Sequence, residues 1–242
     1  MQPLLVPVVV AGTVWLWRSE RFRALAWSAI LVELLFFVVG GKSYYPAPIY
    51  PLLYAAGAVW VEQSVRSKAL WRGWTAVTVL TSLALLPIGL PVLPPGVMAD
   101  SGIWKARKDF ADMYGWPDLA EEVAAAYRSL PGSERSGTLL LAQNYGEAGA
   151  LDLYGPALGL PPVVSPHLTF YYWASAGLAP QTVIAVGYGE EDLAPLFADI
   201  TPAGTISNSF GIANEEHGRP IYICRSPRLP LAKAWPSLKR LD

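Results

Sequence analysis

Charge is what this chain has least of. Asp, Glu, Lys and Arg make up 15% of its 242 residues, against about a quarter in ordinary soluble domains. Residues 1–96 are poorest in acids, with Glu20, Glu33 and Glu62 alone. Cysteine is limited to Cys224, which excludes an intrachain disulfide. Histidine is limited to His167 and His217, and these three residues have no metal-ligand spacing. No G-x-S-x-G elbow and no phosphate loop occurs. Neither a metal nor a cofactor is therefore expected, and no nucleic-acid partner.

Apolar and aromatic residues fill the space. The chain is 53% hydrophobic with a mean hydropathy of +0.32, and it carries ten tryptophans and twelve tyrosines. The balance of charge shifts along it. Residues 1–96 set seven bases against three acids, a net of +4, whereas residues 97–242 set eleven against sixteen, a net of −5. Two environments are implied, meeting near "PIGLPVLPPG", Pro87 to Gly96.

The first half contains four apolar stretches, near residues 3–17, 24–39, 47–61 and 70–93. A bilayer core of roughly 30 Å takes about 20 helical residues, so only the fourth clears the length comfortably. Arg18, Arg21 and Arg23 fall in the first connection and Arg66, Lys68 and Arg72 in the third, while the second carries only Lys42. By the positive-inside rule this pattern predicts an α-helical transmembrane bundle of about four helices in residues 1–96. It is a multi-pass arrangement in the cytoplasmic (inner) membrane, with the N-terminus, the Lys42 loop and residues 97–242 extracytoplasmic. A set of buried helices in a soluble protein is the alternative. The opening "MQPLLVPVVVAGTVWLWR" lacks the basic n-region and small-residue cleavage site of a signal peptide, and is expected to be a helix.

Two features of this half suggest chemistry. In "GGKSYYPAPIYPLLYAAGAVWVEQ", residues 40–63, Gly40 and Gly41 are placed to end a helix. Lys42 then offers an ammonium, and Tyr44, Tyr45 and Tyr50 offer hydroxyls and flat apolar faces. A cation with phenols suits a lipid phosphate; the same residues also suit simple anchoring at an interface. Glu33 is a carboxylate inside an apolar helix. It marks a polar intramembrane site, pairs with a neighbouring helix, or is protonated.

The second half alternates short strands and helices. "DLAEEVAAAYRSL" (118–130), "EAGALDLYGPALGL" (147–160) and "EEDLAPLFADI" (190–200) are expected to be helices, and "GTLLLAQN" (137–144), "TVIAVGYG" (182–189) and "PIYICRS" (220–226) strands. The expected fold is a small α/β domain with a mostly parallel sheet over residues 97–242. "VGYGEED" lacks the third glycine and the lysine of a phosphate loop and is expected to be a tight turn before a helix. Asn144 and Glu147 sit where a strand meets a helix, the place ligands gather in open α/β sheets; a capping box explains the same residues without a ligand. "SPHLTFYYWAS", 165–175, is too aromatic for an ordinary solvated loop, and is expected to rest on the membrane or on the opening of the helices.

"GGKSYYPAPIYPLLYAAGAVWVE", "FADMYGWPDLAEEVAAAY", "LLAQNYGEAGALDLYGPALGLPPVVSPHLTFYYW" and "CRSPRLPLAKAWPSLK" together resemble the C-terminal half of bacterial family-39-type membrane glycosyltransferases, the PMT-like group of the GT-C class. The resemblance covers the chain from about residue 20. It implies transfer of a sugar from a polyprenyl-phosphate donor at the outer face of the cytoplasmic membrane. Lys42, Tyr44 and Tyr45 match the family's donor-phosphate site in position and chemistry, and no metal is firmly implied. Members of the group are about twice this length and carry their catalytic carboxylate in the first outer loop. No acid occupies an outer loop of residues 1–96 here, so no catalytic residue is expected in this chain, and a missing N-terminal half is an expected partner, beside the sugar donor and the bilayer. A non-catalytic membrane-anchored module that binds a glycan or a protein is the alternative function.

Overall fold

The computed structural model describes residues 2–42, 44–174 and 179–241. It divides into two compact units, Met1–Leu90 and Pro91–Asp242.

The first unit is helical. Its main elements are α1 (Val6–Arg18), α2 (Arg23–Val38), α3 (Tyr50–Ser64) and α4 (Lys68–Ala84). Proline in the first turn starts α1 and α3 without losing a helical hydrogen bond. Ser67 caps α4 by accepting from the Leu70 amide at 3.3 Å. At the end of α2, Gly40 adopts φ +67°, and the Gly41 and Gly40 amides donate back to the Phe36 and Phe37 carbonyls at 2.8 and 3.4 Å. That is a Schellman stop, open to glycine because the left-handed conformation is free of a Cβ clash. α1 packs on α3 through paired glycines: a Cβ on Gly12 would overlap the Leu53 carbonyl, and one on Gly57 the Val8 carbonyl. Leu16, Ala26, Ala29, Leu53 and Ala56 are buried around this contact. α4 buries none of its residues.

This corrects the expectation of a transmembrane bundle. Among the described residues, no helix is long and apolar enough to cross a membrane. α4 is the longest of the four, at 17 residues, about 26 Å at 1.5 Å per residue, short of a core of roughly 30 Å. The apolar run of residues 70–93 does not continue as one helix. It breaks at Leu85 and resumes as the four-residue helix Leu86–Gly89, because Pro87 lacks the amide a continuing helix needs. The multi-pass topology, and with it the extracytoplasmic placement of residues 97–242, loses its structural basis.

The second unit is a five-stranded sheet with helices on both faces. Its strands are β1 (Thr138–Ala142), β2 (Val163–Val164), β3 (Thr182–Val186), β4 (Phe197–Thr205) and β5 (Pro220–Pro227), in the order β2-β1-β3-β5-β4. β1 runs parallel to β2 and to β3, with Leu140 opposite Val163 and Ile184. β5 runs antiparallel to β3 and to β4. The sheet is thus mixed rather than mostly parallel. The cause lies in residues 190–200, which are helical only over Glu190–Leu193. Pro195 cannot continue that helix, and the chain extends from Phe197 into β4, which pairs back onto β5.

The longer helices here are α5 (Trp116–Ser129), α6 (Tyr145–Tyr154) and α7 (Leu231–Leu238). Alternation along the strands sends Leu140, Ile184, Val186, Ile221 and Ile223 to the face covered by α5 and α6. Leu141, Val183, Ala185 and Cys224 go to the other face, under Phe197 and Trp235 of α7. Both faces of the central strands are apolar because both are covered. Of the aromatic segment, Tyr171 belongs to this packing, its ring stacked on Trp235 with centroids 5.7 Å apart, whereas Tyr172 and Trp173 are exposed. Residue 175 lies outside the described residues.

Candidate functional site

The chain leaves β1 through α6 to reach β2 on one side, then crosses to β3 on the other. The carboxyl ends of β1 and β3 therefore bound a topological switch point, the crevice where open α/β sheets commonly take ligands. Here it is filled from within. Asn144 caps α6, its Oδ1 accepting from the Glu147 amide at 2.9 Å, while Glu147 Oε2 accepts from the Asn144 and Gln143 amides at 3.1 and 2.7 Å. The capping box is complete. Glu147 is wholly buried. Gly187, at the end of β3, has φ +79°, and any Cβ there would overlap Glu147 Oε1. Only glycine leaves room for this carboxyl.

Glu216, from the loop between β4 and β5, completes the cluster. Its Oε1 accepts from Asn144 Nδ2 at 2.9 Å. Its Oε2 lies 3.7 Å from Arg219 Nε, and Arg219 also donates to Gln143 Oε1 and, at 3.4 Å, to the Gly187 carbonyl. Glu147 Oε1 and Glu216 Oε2 are buried, with no hydrogen-bond donor on any protein group. Two acceptors set side by side are reconciled by one proton between them. Burial first, and then the hydrogen bond with Glu216, push the Glu147 carboxyl up to about 9. Burial beside a second carboxyl favours the protonated form of Glu147, which can donate to Glu216.

Around this pair, the Tyr145 amide donates to Nδ1 of the buried His167 at 3.3 Å, and the Tyr188 hydroxyl donates to the Ala142 carbonyl at 3.4 Å. Apart from the two facing carboxyl oxygens these groups satisfy one another, so the switch point is a polar plug that ties α6, β3 and the 206–219 loop together. No group of three or more His, Cys, Asp or Glu able to hold a metal occurs among the described residues. Cys224 is buried, and burial pushes its thiol up to about 12. It is not a thiolate at neutral pH, hence no nucleophile.

The residues singled out in the first unit fall into two groups. Lys42, Tyr44 and Tyr45 are exposed, the two tyrosine rings meeting edge to face at 5.0 Å and Tyr45 packing on Phe36 at 5.3 Å. Lys42 makes no ion pair among the described residues. Tyr50, at the start of α3, is instead hydrogen-bonded to Glu33 of α2, which raises the Tyr50 hydroxyl above its ordinary value. Glu33 has a partner on a neighbouring helix, one of the readings open from sequence.

Glu216, Arg219 and Gly187 were not singled out as site residues. The signal for the first two was the run "NEEHGR", 214–219, four ionisable residues in six within an otherwise charge-poor chain. No protein-family model matches the chain, and no curated protein or solved structure matches it significantly.

Proposed function

We propose that this chain is one portion of an enzyme that transfers a sugar from a polyprenyl-phosphate donor, and that the Lys42 loop takes the donor phosphate. One observation carries the reading: an exposed lysine with no ion pair among the described residues stands beside two exposed tyrosines, just past the Schellman stop of α2. An ammonium there can neutralise the charge that grows on a departing phosphate, which lowers the barrier to breaking the sugar–phosphate bond. The phenols can donate to its remaining oxygens. No residue of this chain is assigned as the base that deprotonates the acceptor hydroxyl. The Glu147–Glu216 pair is unsuited to that role, since Glu147 is fully buried and out of reach of an acceptor hydroxyl.

Binding of farnesyl phosphate to the full chain in detergent tests the proposal. Lys42→Ala should weaken binding about 10- to 150-fold, as expected for loss of a charge-assisted hydrogen bond. Lys42→Arg should weaken it less. A change below about threefold for Lys42→Ala removes the phosphate role.

A further inference from the structure

The second unit has a cleft of about 400 Å³, within the range of roughly 300–1,000 Å³ typical of small-molecule sites. Five aromatic residues, Phe110, Tyr114, Trp116, Tyr154 and Phe210, share its walls with prolines, leucine and methionines, and its one charged lining residue is Asp118 in the first turn of α5. We infer that this cleft is a carbohydrate site that takes an uncharged pyranose ring. It stands apart from the donor reading, because it uses residues of the second unit alone.

The chemistry of the lining selects the ligand. A pyranose presents an apolar C–H face, which packs on aromatic rings, and a rim of hydroxyls, which donate to a carboxylate. Tyr154 and Phe210 are 37% and 44% exposed, so their rings are open to a ligand. Asp118 Oδ2 accepts from the Ser209 amide and hydroxyl at 3.2 and 3.4 Å. Its Oδ1 has no protein donor among the described residues and is left for a ligand hydroxyl. A phosphate is disfavoured, because no lysine or arginine lines the cleft to offset Asp118. A purely hydrocarbon chain would desolvate the carboxylate without replacing its hydrogen bonds. An ammonium cage would turn several ring faces toward one point; here Tyr114 and Phe210 meet edge to face at 75° and 5.2 Å, so the two faces do not point at a common centre.

The walls are also held in advance of binding. Trp116 Nε1 donates to the Asp112 carbonyl at 2.9 Å, and Tyr114 donates its hydroxyl to the Pro95 carbonyl at 2.9 Å. The loop that carries Ser209 and Phe210 is pinned at Ser207 to Glu122, and at Asn214 Nδ2 to the Ala111 and Tyr114 carbonyls. Walls fixed beforehand cost little ordering when a ligand enters.

Saturation-transfer NMR on the full chain, with the methyl glycosides of glucose, mannose, galactose and arabinose, tests the inference. Transfer to the ring C–H protons of at least one glycoside is expected. Titration calorimetry with that glycoside should show binding at least tenfold weaker for Asp118→Asn and about threefold to tenfold weaker for Tyr154→Ala. Among the described residues the Tyr154 side chain makes no hydrogen bond that the alanine would break, so its loss tests stacking even if Asp118→Asn disturbs the Ser209 wall. Lys42→Ala should leave glycoside binding unchanged while it weakens farnesyl phosphate, so the two readings fail separately. Transfer to none of the four sugars, unaltered affinity in Tyr154→Ala, or displacement of the sugar by choline or farnesyl phosphate overturns the inference.

Discussion

The two units solve the problem of burying apolar residues in opposite ways. The first is the more apolar in sequence, yet Phe37, Val38, Leu70, Leu80 and Leu83 are at least 60% exposed, and α4 buries nothing. The second carries the larger share of the charge, yet Leu140, Leu141, Ile184, Val183 and Ile221 are fully buried. Apolar content alone does not make a core; opposed apolar faces do. A sheet has two faces, and α5, α6 and α7 cover them. The helices of the first unit meet mainly where small residues let backbones approach, and leave the remaining apolar surface outward. The same contrast separates their polar groups. Those of the second unit are locked to each other at the switch point, whereas Lys42 and its tyrosines stand open.

The contrast is most sharply broken by Gly57→Ala. The new methyl would meet the Val8 carbonyl, a backbone atom that no rotamer change can move aside. It should force α1 and α3 apart and abolish the first unit's cooperative melting, while the second unit's transition stays in place. Calorimetry of the full chain would show this, and a variant that melts like the parent would mean that the glycine contact does not organise the unit.

The next effect is in the second unit. Gly187→Ala combines a left-handed backbone with overlap of Glu147 Oε1, and should cost about 3 kcal/mol or more in urea unfolding. A cost below about 1 kcal/mol would show that the carboxyl pair can shift to make room.

Glu147→Gln has an effect set by pH, small near pH 5 and growing as pH rises. A carboxyl raised from its ordinary value of 4.5 to about 9 holds its proton in the folded protein and releases it on unfolding across that window. The contribution of this group to stability is therefore greatest below about pH 4.5 and falls as pH rises toward 9, by as much as about 1.4 kcal/mol per pH unit. Glutamine keeps the capping acceptor and supplies a permanent donor to Glu216, so the variant should lose this slope and exceed the parent in stability at pH 8. Parallel slopes for parent and variant in urea titrations at pH 5 to 9 would show that the pair does not share a proton.

Local pattern carried much of this protein into view. Residues 118–130, 137–144, 182–189 and 220–226 have periodicities and turn signals that belong to single elements, and each forms the element those signals indicate. Gly40 and Gly41 stop α2 because a left-handed turn is a property of the residue itself. The Asn144–Glu147 cap is legible for the same reason, both partners lying within one helical turn. Tertiary structure alone decided the rest. Whether residues 197–205 would extend depended on β5, more than a dozen residues further on, being there to pair with them. The apolar runs set helix type but not helix length, which Pro87 and the turns around the prolines of residues 46–51 cut short. The facing carboxyls of Glu147 and Glu216, and the open Asp118 oxygen among rings from distant segments, exist only because folding brings together groups that sequence keeps apart. Separation along the chain hides such groups, and burial then fixes their charge.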